Sequence, residues 1–270
     1  KPNDVEIYLA LARLLRNQGR LAESALASAR ALAISPDNAD AHFLEALVLR
    51  EHDRFEDAIA ALKGVLGAAP NLSYVHAALG VTYSDQGRIP EAMAALHQAL
   101  SLEPDNDQTR SNAIYIASTT QFQAPEEILQ FSRAFDKAPD ATPRQTIAAS
   151  PKIRVGIISA EIGNHALSYF LETYLRHYDR SRIEVTLFPT IARSEPSNAM
   201  LLGLADHVVD LKNVSDDDGR AAIASRRIDI LIDTTSHMGG SRLRMLSRRC
   251  APIQCHWIGF NGSTGVSAID

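Results

Sequence analysis

Prolines recur at a fixed interval of 34 residues, at Pro2, Pro36, Pro70 and Pro104. A strict period of that length allows few folds, because each copy must be a small helical unit stacked on the next. Proline lacks the amide proton of the helical ladder, so each one marks a stop. A second slot keeps the same phase: Asn17-Gln18-Gly19-Arg20, Glu51-His52-Asp53-Arg54 and Asp85-Gln86-Gly87-Arg88 each lead into a helix starting near Ala22, Asp57 or Glu91. Gly87 is expected to make its turn with positive φ. Asp53 stands where the neighbouring units use glycine.

The unit from Ser73 to Asn106 resembles the tetratricopeptide repeat, with Leu79, Gly80, Tyr83, Ala92, Leu96, Ala99 and Pro104 in its packing positions. Small residues at 80 and 92 predict that two helices touch there. The first unit is looser, with Ser24 and Ser28 in slots usually apolar or alanine. Helical periodicity assigns Tyr8, Leu11, Leu15, Phe43, Leu47 and Leu49 to the helix-pair core. Arg13, Arg16, Asn17, Arg50 and Tyr74 are candidates to line an inward groove for protein or peptide partners, with solvated surface as the competing assignment. Residues 1–121 are thus expected to form an α-solenoid, and Lys1-Pro2-Asn3-Asp4 resemble the tail of an earlier repeat rather than a secretory signal. Residues 122–152 are expected to hold a helix opened by Ala124-Pro125-Glu126-Glu127, with acids suited to its positive end. A proline-rich linker over 138–151 follows.

From 153 to 270 the period changes. Strands are predicted over 153–159, 183–189, 207–211, 228–233 and 252–258, with helices over 165–177, 197–205, 216–226 and 242–248. Such alternation implies a parallel sheet in a Rossmann-like layer. Neither GxGxxG nor GxxxxGK[ST] is present, which disfavours dinucleotide dehydrogenases and P-loop enzymes. Ligands of open α/β sheets collect at the carboxyl ends of strands, where polar loops are expected at Ser159–His165, Thr234–Ser241 and Gly259–Gly265. His165 opens a helix whose positive end favours a neutral imidazole able to accept a proton. For His165, as for His237 beside Gly239-Gly240, a structural histidine is the competing assignment. The loop Gly259-Phe260-Asn261-Gly262-Ser263-Thr264-Gly265 combines glycines, hydroxyls and an amide suited to a sugar or phosphate. Arg242, Arg244, Arg248 and Arg249 are read as a solvated face or domain contact ahead of phosphate steering. Asp216, Asp217 and Asp218 are read as charge complement to a helix start rather than as metal ligands.

Composition removes other classes. Net charge is −5; residues 1–150 carry 13 Lys/Arg against 19 Asp/Glu, and residues 151–270 carry 14 against 13. Neither half has the basic balance of a nucleic-acid binder. No apolar run approaches the ~20 residues that span a bilayer. Cys250 and Cys255 have no second pair for a zinc site. Cys255 is placed in the core, and the cysteine usage fits a reducing, cytoplasmic compartment.

Several stretches together resemble the O-linked N-acetylglucosamine transferase/SPINDLY family of glycosyltransferases. They are Ile153 to Ser159, Asn164-His165 with Ser168-Tyr169-Phe170-Leu171, His177 to Val185, Ile228 to Asp233, Ala251-Pro252-Ile253-Gln254 and Trp257-Ile258-Gly259-Phe260. The resemblance implies tetratricopeptide repeats ahead of a two-lobed GT-B region, of which this sequence carries the first lobe and stops before the second. It implies transfer of N-acetylglucosamine from UDP-GlcNAc to Ser/Thr of proteins recruited by the repeats. His165 would be the catalytic residue, with Asn164, His237, Gly259, Phe260, Asn261, Gly262, Ser263 and Thr264 at the substrate; no cofactor or metal is implied. The sequence departs from the family at Ala166-Leu167, at Ser236-His237-Met238 and at Phe260 and Asn261, which puts donor, acceptor and activity in question. A GDP-fucose-dependent protein O-fucosyltransferase and a non-enzymatic repeat adaptor are the alternatives.

Overall fold

A computed structural model describes residues 4–120, 124–136, 150–192, 195–260 and 262–270. The chain divides into two compact units, Lys1–Phe122 and Gln123–Asp270. Most of the linker expected over 138–151 lies outside the described residues.

The first unit is helical: α1 (Val5–Asn17), α2 (Leu21–Ile34), α3 (Ala39–Glu51), α4 (Phe55–Ala68), α5 (Ser73–Asp85), α6 (Ile89–Leu102) and α7 (Asp107–Thr120). Each hairpin turn is closed by the same pair of backbone bonds. Gly19 donates to Arg16 and Arg20 to Leu15; the equivalents are Asp53 to Arg50 with Arg54 to Leu49, and Gly87 to Ser84 with Arg88 to Tyr83. This pairing of a six-to-one with a five-to-two bond requires a left-handed residue before the last donor. Gly19, Asp53 and Gly87 supply it at φ 73°, 59° and 75°. The expected contact at Gly80 is tight, since a Cβ there would lie 2.6 Å from Leu96 Cγ. Ser24 and Ser28 are buried, and the Ser24 hydroxyl donates to the Ala12 carbonyl across the helix pair at 2.8 Å. Polar side chains therefore serve as packing residues in the first hairpin.

One core assignment is corrected. Leu11 is 41% exposed, and the buried stripe of α1 is Leu9, Ala12 and Leu15. The three-residue spacing of that stripe turns Leu11 outward. The proposed groove residues are also engaged along the helix row. Arg13 pairs with Asp40, Arg16 with Glu51 and Arg50 with Asp85. Tyr74 donates to Asp40 at 2.8 Å, and burial together with that carboxylate pushes its phenol up to about 12.

The second unit contains α8 (Pro125–Arg133), β1 (Ile153–Ser159), α9 (Ala166–His177), β2 (Ile183–Pro189), α10 (Pro196–Leu202), β3 (His207–Val208), α11 (Asp216–Ser225), β4 (Ile230–Asp233), α12 (Leu243–Leu246) and β5 (Ile253–His256). Its five-stranded sheet has the order β3-β2-β1-β4-β5 with parallel pairing throughout. Ile157, Leu171, Leu175 and Leu187 are wholly buried between β1, β2 and α9. β3 is shorter than expected, although Val209 and Leu211 continue to donate to β2 carbonyls. The core cysteine is Cys250, whereas Cys255 is half-buried on β5; burial pushes the Cys250 thiol up to about 11. At the amino end of the sheet, Asp229 accepts from the Arg154 backbone amide and guanidinium at 2.6–3.0 Å, joining β1 to β4. Among the described residues no helix is long and apolar enough to cross a membrane.

Candidate functional site

The strand order puts the carboxyl ends of β1, β4 and β5 side by side, so the three polar loops singled out in the sequence gather at one edge. The β1 loop is braced from within. Ser168 Oγ donates to the Glu161 carbonyl and accepts from Gly163 N–H, while Asn198 Nδ2 donates to the Ile162 carbonyl. Beyond these bonds Asn164 and His165 are exposed.

His165 caps α9. Its Nδ1 accepts the Leu167 amide proton at 3.2 Å, with the backbone extended at φ −146°. A neutral imidazole carries one ring proton, so accepting at Nδ1 places that proton on Nε2. In this arrangement His165 presents an N–H donor outward rather than a vacant lone pair. In this conformation the cap occupies Nδ1, so any contact that His165 makes to a ligand falls to Nε2.

His237 is placed differently. It is 2% exposed, with its ring between Phe135 and Phe260 at centroid distances of 5.1 and 5.3 Å. Nε2 lies 3.2 Å from the Ser263 carbonyl, and Nδ1 is buried without a hydrogen-bond partner. Burial drives its pKa down to about 4. It is a neutral core imidazole holding the β5 loop.

The glycines of that loop have packing reasons. A Cβ on Gly259 would lie 1.5 Å from the Thr234 carbonyl oxygen, so the β5 loop lies directly on the β4 loop. Gly265, at φ +70°, backs onto Ser132 of α8. Phe260 is buried, Gly262 lies against its ring, and Asn261 is outside the described residues. Ser263 and Thr264 line a cavity of about 540 Å³ with Leu129, Arg133, Asp136 and Ser267.

Two buried carboxylates that motif reasoning passed over, Glu161 and Asp233, form the floor, with half-buried His256 beside them. Glu161 and Asp233 are 4% and 2% exposed at the ends of β1 and β4. Glu161 Oε2 lies 2.8 Å from Thr235 Oγ1 and 3.2 Å from Ser159 Oγ. Desolvation raises the pKa of Glu161 despite those donors. Asp233 accepts from the amides of Thr235 and Ser236 and faces His256 Nδ1. The available signal was position alone: each carboxylate is the first acid at or beyond the end of a predicted strand.

The arginine stripe is tied down. Arg242 binds Asp216 and the carbonyls of Leu211 and Val214, Arg248 binds Asp217, and Arg249 binds Asp270. Gln254 is a buried structural hub, accepting from Cys250 N–H and donating to the carbonyls of Leu246 and Ala268.

Comparison with known proteins fits this geometry. The family described as Glycosyl transferase family 41 matches residues 76–270, and a tetratricopeptide repeat family matches residues 9–73. A probable UDP-N-acetylglucosamine–peptide N-acetylglucosaminyltransferase SPINDLY of Oryza sativa subsp. japonica is 25% identical over 63% of this chain and 19% of its own length. A Caenorhabditis elegans UDP-N-acetylglucosamine–peptide N-acetylglucosaminyltransferase is 30% identical over 47% of this chain and 11% of its own. A solved Thermobaculum terrenum O-GlcNAc transferase mutant superposes with a TM-score of 0.86 at 27% identity, over 98% of this chain and 52% of that one. The chain therefore spans a fifth or less of the two curated relatives and about half of that structure. With one match running from the third hairpin through the last strand, the chain belongs to glycosyl transferase family 41.

Proposed function

We propose that the protein transfers N-acetylglucosamine from UDP-GlcNAc to serine or threonine hydroxyls of proteins that its repeats recruit. The observation that carries this is the family 41 match over residues 76–270, joined to a ligand edge where His165 stands exposed at the start of α9. His165 Nε2–H would hydrogen-bond the acceptor or a donor oxygen and fix its approach, with Asn164 beside it. Positioning of this kind accelerates bimolecular transfer by removing orientational freedom before the chemical step. Gly259, Phe260, Gly262, Ser263 and Thr264 would wall the sugar side, and Asn261 belongs to the same loop. His237 would support that wall from beneath through the Ser263 carbonyl.

The proposal includes no metal or other cofactor. The acids nearest to ligand spacing are committed elsewhere: Asp216 and Asp217 to Arg242 and Arg248, and Asp218 to the Ser215 hydroxyl. A cytoplasmic location accords with two free cysteines. The test is transfer by the full-length protein to a serine-containing protein substrate, with UDP-GlcNAc and GDP-fucose as parallel donors. Transfer from UDP-GlcNAc that falls sharply in His165→Ala is the expected result. Transfer only from GDP-fucose, or none from either donor, would overturn the proposal.

A further inference from the structure

We propose that Glu161 is a positioning residue for transfer: its buried carboxylate and the Thr235 hydroxyl lock the β1 loop, which carries Asn164 and His165, onto the β4 loop. This rests on the transferase reading above. The bonding is specific. Thr235 Oγ1 accepts the Ala160 amide proton at 2.9 Å and donates to Glu161 Oε2 at 2.8 Å, so one hydroxyl bridges both loops. The same oxygen of Glu161 also takes Ala160 N–H and Ser159 Oγ, each at 3.2 Å, and Thr234 Oγ1 stands 3.5 Å away. The hydroxyls of Thr235 and Ser159, from two neighbouring strand ends, thus donate to one carboxylate oxygen, with the Ala160 amide shared between it and Thr235 Oγ1.

The residues that close this knot are buried: Ser159, Thr234 and Thr235 are at most 1% exposed. A carboxyl group in so dry a site depends on these hydrogen bonds to offset its desolvation, which ties its position to theirs. The knot lies four residues before His165 in the chain, and Ser168 at the start of α9 donates to the Glu161 carbonyl. Movement of Glu161 is therefore carried through Ser168 into the helix end that His165 caps. Burial raises the Glu161 pKa foremost; of the charged and titratable groups around it, Asp233 from β4 raises it further and His165 at the α9 cap, when protonated, lowers it.

The experiment uses the full-length protein and the variants Thr235→Val, Thr235→Ser and Glu161→Gln. Valine keeps the shape of threonine and removes the bridge; serine restores the hydroxyl. Thr235→Val should lower kcat by about 10–100-fold, the scale of a reactant displaced by about 1 Å, with KM for the nucleotide sugar changed much less. Amide hydrogen exchange should rise together over residues 160–167 and 233–241. Thr235→Ser should recover both measures. Glu161→Gln keeps one oxygen for the knot and removes the charge, so any acid-side fall in kcat with this carboxyl as its origin should vanish. Wild-type kcat in Thr235→Val, or a loss that serine does not rescue, overturns the clamp. Failure of the wild-type protein to transfer sugar overturns the reading beneath it, and the exchange data tell the two failures apart.

Discussion

His256 and Asp233 are register partners on β5 and β4, and the imidazole Nδ1 lies 3.3 Å from the carboxylate Oδ2. The other ring nitrogen lies 3.0 Å from the Phe260 carbonyl and 3.3 Å from the Phe260 amide. A protonated ring donates to both oxygens; a neutral ring keeps its proton at Nδ1 and accepts from the amide. Burial by itself lowers the His256 pKa, yet the partnership with Asp233 and the Phe260 carbonyl raises it overall above its ordinary value of 6.5.

A raised folded-state pKa means that the stabilisation is complete below about 6.5 and is lost as pH rises through the raised value. The expected outcome is a thermal midpoint that declines over that window in the wild-type protein. Asp233→Asn leaves desolvation as the dominant influence, so the His256 titration should move below 6.5. An NMR titration of the His256 ring checks both the sign and the size. An unchanged titration in Asp233→Asn would contradict this account.

Arg154 and Asp229 make a different kind of pair. Asp229 is buried, and although desolvation opposes it, hydrogen bonds and charge from Arg154 hold its carboxyl below the usual range. Removing the arginine leaves the buried carboxylate with the residue-154 amide but no countercharge, at a cost of about 3 kcal/mol. Arg154→Met should destabilise by that amount in urea unfolding. The double replacement Arg154→Met with Asp229→Leu should recover only part of the loss, because it leaves the residue-154 amide without its acceptor. With a depressed pKa, the Asp229 contribution is present above the ordinary carboxylate range and disappears as pH falls through the folded value.

Asp53 occupies the left-handed slot that Gly19 and Gly87 fill in the neighbouring turns. An L-residue pays a steric penalty there that glycine avoids. Asp53→Gly should therefore stabilise by about 0.5–1 kcal/mol, and Gly87→Ala should destabilise by about 1 kcal/mol. Denaturant unfolding followed by helical circular dichroism reads both. A loss of stability in Asp53→Gly would mean that the aspartate side chain contributes more than its backbone conformation costs.

How far the sequence could be read follows from which signals are local. A 34-residue period repeats a backbone requirement, so the hairpins and the left-handed turns were visible in Pro36, Pro70, Gly19 and Gly87. Strand and helix alternation made the parallel sheet legible for a similar reason. Glu161, Asp233 and His256 were not legible, because their meaning comes from neighbouring strands that bring together residues 72 and 23 positions apart. Leu11 misled because one apolar residue beside a buried stripe leaves the helical average almost unchanged. Arg242 and Arg248 looked like a free cationic face until folding brought Asp216 and Asp217 against them.

His165 holds two roles that one substitution can separate. As cap of α9 it needs an acceptor for the Leu167 amide, and as site residue it needs the outward Nε2–H. Asparagine is among the best N-cap residues and supplies the first role without the second. His165→Asn should keep the thermal midpoint of the wild-type protein while transfer falls. His165→Ala should lose transfer and also about 1 kcal/mol of stability through the missing cap. If the imidazole serves as a donor, the fall in kcat should be near the ~10²-fold end of the range for lost proton-transfer or hydrogen-bonding groups rather than ~10⁴-fold. A fall in kcat of about 10⁴-fold would instead mean that the Leu167 cap opens during turnover and frees Nδ1 for proton transfer.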